Sequence, residues 1–191
     1  TLPSEALDSF LLMLALSTPE ERYPGVDMAA EFLTDKSLAK FSWSLFEAWR
    51  LGGMDSKLSW AFHQLGHFGD DECARRLTPI LRAWPGEGGH ARATQGLDVL
   101  CAIGTDVALM NLYGISQKLK FKGLKNKAAE KVQEVARERG LTELELADRL
   151  VPDFDLDENG TLELDFGPRR FTLTFDERLK VVVRDEDGKI R

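Results

Sequence analysis

The sequence predicts a mainly α protein: a solenoid of stacked helical hairpins followed by a small C-terminal antiparallel β-meander. Three observations carry that reading. Apolar residues recur at helical spacing through residues 1–151. Within that span a helix-pair pattern repeats at an offset of 35 residues. From Thr161 the apolar period becomes two, which is the period of a strand. The expected division is a helical domain over 1–151 and a β-meander over 152–191 that packs on it or caps it.

Ser4 is placed to cap a first helix carrying Leu7, Phe10, Leu11 and Leu14 on one face. Thr18-Pro19-Glu20-Glu21 predicts a short second helix, because proline fits a first turn and acids there suit the helix dipole. Asp27 and Asp35 are further cap candidates. In SLAKFSWSLFEAWRLGG, Leu38, Phe41, Leu45 and Ala48 form one stripe, and Trp43, Phe46 and Trp49 widen it. A helix apolar over so much of its circumference packs on two sides. Gly52-Gly53 ends it.

The repeat follows. LGHFGDDECARRLTPIL starts at Leu65 and LCAIGTDVALMNLYGIS at Leu100. Phe68 matches Ile103, Gly69 matches Gly104, Asp71 matches Asp106 and Leu77 matches Leu112. The preceding stretches SKLSWAFHQL and ARATQGLDVL also align, and NKAAEKVQEVARERG, residues 126–140, is a third copy. Helices of about four turns alternate with Gly/Asp corners, and no such hairpin buries its apolar face alone. These units resemble HEAT repeats from about Asp55 to Gly140. That resemblance implies a stacked solenoid with one continuous core.

After Leu141, Thr142 caps a short helix with Glu145 as its capping-box partner, and Pro152 stops it. TLELDF, RFTLTF and KVVVR then read as three strands. Leu162, Leu164 and Phe166 face Phe171, Leu173 and Phe175 across the first pair. The last residues read as a hairpin cut partway, as expected of a piece of a longer protein. DFDLDENG opens like a calcium loop, but the twelfth position from Asp155 is Phe166, where a bidentate Glu is needed. It reads as the joint between helices and strands, with Asn159-Gly160 as its turn.

Three longer strings point to one family: FSWSLFEAWRLGGMDSKLSWAFHQLGHFGDDECARRLTPILRAW, AAEKVQEVARERGLTELELADRLVPDFDLDENG, and DFGPRRFTLTFDERLK with the following DEDGK. On these the chain resembles the bacterial WGR-domain proteins related to the molybdate metabolism regulator. The resemblance implies a cytoplasmic scaffold or regulator built from several domains, and it supplies no catalytic residues. The Trp-Gly-Arg motif itself is absent.

Composition narrows the function classes. The net charge is −7, with 43% hydrophobic and 30% charged residues, which gives the whole chain no drive toward nucleic acid or anionic membrane. The longest apolar run, FLLMLAL, is too short to span a bilayer. Cys73 and Cys101 read as reduced packing residues of a cytoplasmic protein. His63 and His67 share an i, i+4 face, but Gln64 stands where a metalloprotease has Glu, and no metal is expected. GEGGH, residues 86–90, is a corner rather than a phosphate loop. No cofactor and no catalytic group is expected.

The one basic cluster is Lys118, Lys120, Lys122, Lys125, Lys127 and Lys131, with Phe121 among them. Residues 118–140 carry 8 basic and 3 acidic groups, against 9 and 15 before them and 8 and 14 after. The cluster is the candidate partner surface, next to a helix over 105–121. The expected function is a non-catalytic interaction module of a larger bacterial protein, binding a protein partner or other domains of its own chain. The alternatives are a share of a composite active site and weak nucleic-acid binding through the lysines, which the net charge opposes.

Overall fold

The computed structural model describes residues 4–18, 21–150, 161–167, 169–186 and 188–190. The calcium-like loop at 155–160 and Pro152 lie outside the described residues. The chain forms two compact units, Thr1–Leu150 and Val151–Arg191. The first is helical and the second is a three-stranded antiparallel sheet.

The helices are α1 (Ser4–Ala15), α2 (Pro24–Ala30), α3 (Asp35–Leu51), α4 (Trp60–His63), α5 (Leu65–Phe68), α6 (Asp71–Ala83), α7 (His90–Ile103), α8 (Asp106–Lys118), α9 (Lys122–Glu138) and α10 (Glu143–Arg149). Short 3-10 turns stand at Ser56–Leu58 and Trp84–Glu87. A side-chain oxygen starts every second helix of the pairs. Thr34 accepts the Ser37 N–H at 3.2 Å, Asp70 the Cys73 N–H at 2.9 Å, Thr105 the Ala108 N–H at 3.2 Å and Thr142 the Glu145 N–H at 3.2 Å. Each satisfies a backbone donor that has no partner inside the helix. These caps recur at intervals of 36, 35 and 37 residues. The periodicity therefore reaches back to α3, one unit earlier than the sequence pattern shows.

One core runs through the pairs. It joins Trp43, Phe46 and Trp49 of α3, Leu77 and Leu81 of α6, Leu97 and Leu100 of α7, Leu112 and Ile115 of α8, and Val132 of α9. Aromatic rings anchor its first end: Trp49 stacks on Phe62 at 5.5 Å, and Trp84 meets Phe62 edge-on at 5.5 Å. A second cluster holds α1 and α2 on the other side of α3, through Phe10, Leu14, Val26, Leu38 and half-buried Phe41 and Leu45. Helix α3 thus packs on two sides, as its composition requires. The face turned to the main core is Ala39, Trp43, Phe46 and Trp49, and Ala48 of the expected stripe is exposed.

Several local expectations need correction. Asp27 and Asp35 are not caps: they lie inside α2 and α3, whose cap positions are Tyr23 and Thr34. Pro19 and Glu20 of the expected second helix lie outside the described residues. On either side of them the Thr18 hydroxyl accepts the Glu21 N–H and the Thr18 N–H donates to the Glu21 carbonyl at 2.9 Å, and the next described helix starts at Pro24. Residues 56–68 are not one helix of four turns but three short pieces. Gln64 accounts for the second of the two breaks. Its Nε2 donates to the carbonyls of Ala61 and Ser42, and its Oε1 accepts from Ser42 Oγ at 2.7 Å. The Ala61 carbonyl is one the helical ladder would otherwise use. Helix α8 ends at Lys118, short of 121, because Leu119 turns extended.

In the second unit β1 (Leu162–Asp165), β2 (Arg170–Phe175) and β3 (Val181–Asp185) lie in order. Leu162 faces Leu173 and Leu164 faces Phe171, which is the register that alternation implies. The β2–β3 turn is held by Asp176, whose carboxylate accepts the Arg178 and Lys180 N–H groups at 2.8 Å. After β3 the chain turns at Gly188 and returns through an Arg184–Ile190 bridge.

Two glycines set how closely the helices approach. A Cβ on Gly66 would stand 2.6 Å from the Ala102 Cβ, and one on Gly96 would collide with the Leu81 side chain. Gly123, in the exposed first turn of α9, has nothing within 4 Å of that position. Gly66→Ala is expected to cost about 1–3 kcal/mol through overpacking. Gly123→Ala is expected to stabilise by about 0.5 kcal/mol through the unfolded chain. Urea unfolding of both variants reads the opposite signs directly.

Candidate functional site

Two chain reversals stand side by side at one edge of the helical unit. One joins α6 to α7 through Trp84–Glu87 and Gly88-Gly89. The other joins α8 to α9 through residues 119–121. Trp84 is 3% exposed and locks the first reversal into the core, and the Gly89 N–H donates to the Trp84 carbonyl at 2.7 Å. Phe121 sits against this reversal: its ring tip would lie 3.6 Å from a Cβ at Gly86, an ordinary contact distance. Phe121 also meets the His90 ring edge-on, with centroids 6.2 Å apart. It remains 36% exposed, an aromatic ring presented on a fixed seat.

The six lysines of the sequence cluster divide into two groups. Lys125 donates to the Gln117 carbonyl at 3.0 Å and so closes the end of α8. Lys127 pairs with Glu130 at 2.6 Å. Lys131 joins Asp98 of α7 at 3.1 Å and Glu134 at 2.9 Å, and these two carboxylates raise its pKa. These three serve the fold. Lys118, Lys120 and Lys122 are exposed, and none has an ion-pair partner among the described residues. They surround Phe121 in sequence and sit at its corner.

Sequence reasoning missed the residues that reach this edge from the neighbouring pair. Arg82 ends α6, and its guanidinium lies against Gly114 on α8, one turn from Lys118. Arg92, at the start of α7, lies over the Trp84 ring at 5.7 Å. His90 is exposed beside them, and Glu87 is the acid among these cations. The signal was present in the repeat. An offset of 35 residues puts Arg82 level with Gln117, and hence beside the end of α8.

The other candidates lie elsewhere. His67 lines a cleft of about 770 Å³ with Arg22, Asp35, Asp71, Arg75 and Thr105. His63 lines a separate cleft of about 400 Å³ with Gln95, Asp98, Cys101 and Lys131. The i, i+4 pair therefore opens onto two different spaces. Among the described residues no three His, Cys, Asp or Glu side chains are grouped to hold a metal ion. Burial pushes the Cys73 thiol up to about 11 and the Cys101 thiol up to about 12. Both stay protonated at neutral pH and are poor nucleophiles. Trp43, Trp49 and Trp84 are buried, and Trp60 is half-buried. No described helix is long and apolar enough to cross a membrane.

The chain is similar to a bacterial protein. It is 44% identical over 188 residues to the uncharacterized protein YehI of Escherichia coli strain K12. The match takes in 98% of this chain and 16% of that protein, so the chain spans about one-sixth of its relative's length. No protein-family model matches the chain, and no solved structure matches it.

The burial of His67 yields a pH dependence. Desolvation, and then the Arg22 charge, lower its pKa in the folded state below the ordinary 6.5. The unfolded chain takes up the proton first as pH falls, so stability is retained above about 6.5 and is lost below it. His67→Gln is expected to flatten the fall in melting temperature between pH 7.5 and 5.5. An unchanged slope in the variant would remove His67 from the cause.

Proposed function

We propose that this chain is a non-catalytic interaction module of a larger bacterial protein, and that its basic edge binds an acidic segment of a protein partner. One observation carries the reading: Lys118, Lys120 and Lys122, without ion-pair partners among the described residues, stand around a part-exposed Phe121 seated on the corner. An aromatic ring flanked by exposed cations suits a partner that offers carboxylates and an apolar side chain. The HEAT-like reading of the helix pairs supports the same role, since stacked hairpins present fixed edges. Membership of the WGR and molybdate-regulator group is part of this proposal. It rests on the three quoted strings and on the length of the E. coli relative. A cytoplasmic setting is supported by two free thiols.

A protein partner fits better than nucleic acid. The chain is acidic overall, and tracking a phosphate backbone calls for a longer basic stripe with several aromatics. The test is affinity capture from a bacterial lysate, using the intact protein and the triple reversal Lys118→Glu, Lys120→Glu, Lys122→Glu. The expected result is one acidic partner, retained by the wild type, lost from the reversal and weakened by salt. Partners unchanged by the reversal would remove this edge from the function. A partner destroyed by nuclease would make the surface a nucleic-acid site.

A further inference from the structure

We propose that the binding edge extends across two helix pairs and takes an extended acidic peptide whose track runs from Arg82, past Phe121, to Lys122. This deepens the proposed function and rests on it. Arg82 is exposed, has no ion-pair partner among the described residues, and lies on Gly114, where no side chain stands between it and the surface of α8. Gly114 and Lys118 are one turn apart on the same helix face, so Arg82 and Lys118 flank one strip of α8. Lys120 and Lys122 carry the strip around the corner. A guanidinium takes a carboxylate in a two-point grip, whereas the lysines act as point charges. The partner's register is therefore set at Arg82 and its charge is matched at the corner. Phe121 lies between, with His90 on its edge, and offers its ring to one aromatic or apolar side chain of the peptide.

The test is fluorescence anisotropy with a labelled peptide of about ten Asp and Glu residues around one central Trp, extended at ~3.3 Å per residue. The protein is the full 191-residue chain. Wild type is expected to bind, and Arg82→Glu and Lys120→Glu are each expected to weaken binding about 5-fold. Replacing the central Trp by Gly is expected to weaken it again. Lys40→Glu, exposed on α3, is the control and leaves binding unchanged. If Arg82→Glu binds as wild type while Lys120→Glu is weakened, the corner stands and the extended track is wrong. If neither reversal has an effect, or wild type does not bind the peptide, the corner reading fails with it. Tighter binding of a single-stranded oligothymidine than of the peptide would overturn both in favour of nucleic acid. An undiminished Trp-less peptide would remove Phe121 from the contact.

Discussion

The helical unit depends on the close packing around α7. That helix touches α5, α6, α8 and α9, and it offers its neighbours small residues where they cross. Leu81 lies over Gly96, and Gly66 lies against Ala102. Apolar side chains from each pair complete the core of the next, so no pair is stable without its neighbour. The same packing fixes register. It brings the ends of α6 and α8 and the starts of α7 and α9 to one edge, and there the unpaired cations gather.

The charge polarity of the unit follows from the helices. Helices α6, α8 and α10 begin with acids: Asp71 and Glu72, Asp106, and Glu143 and Glu145. Helices α6 and α8 end with Arg82 and Lys118. Both placements suit the helix dipole. Parallel stacking then adds the local preferences into an acidic edge and a basic one. At the acidic edge Arg139 donates to the Gly104 carbonyl at 3.0 Å and tethers one corner to the next. At the basic edge Lys118, Lys120 and Lys122 have no ion-pair partner among the described residues. Cations close together in solvent cost little because water and salt screen them, and they remain available to an incoming carboxylate.

Much of the fold was legible because it rests on local chemistry. The Thr142 and Glu145 capping box is present as read, with the Thr142 N–H on the Glu145 carboxylate at 2.8 Å. Strand register followed from alternation at Leu162, Leu164, Phe171 and Leu173. What failed depended on partners distant in sequence. Gln64 interrupts its helix while bonding Ser42, 22 residues away. The cap at Thr34 was missed because Asp35 beside it is an equally good residue by type. Gly69 and Gly104 share a repeat position but do different work: Gly104 is left-handed at φ 66°, while Gly69 is extended and leaves room for Ile103. The candidate site divided in the same way. A run of lysines is visible in a string, but which of them the fold uses is decided by Gln117, Glu130, Asp98 and Glu134.

The proposed partner surface is this basic edge. Hydrogen exchange on the intact bacterial protein, free and with its captured partner, tests it most directly. Slowed exchange is expected, confined to the Trp84–His90 reversal and residues 114–122, with the cleft around His67 unchanged. Protection at that cleft, or at α1 and α2, with no change at the basic edge would contradict it.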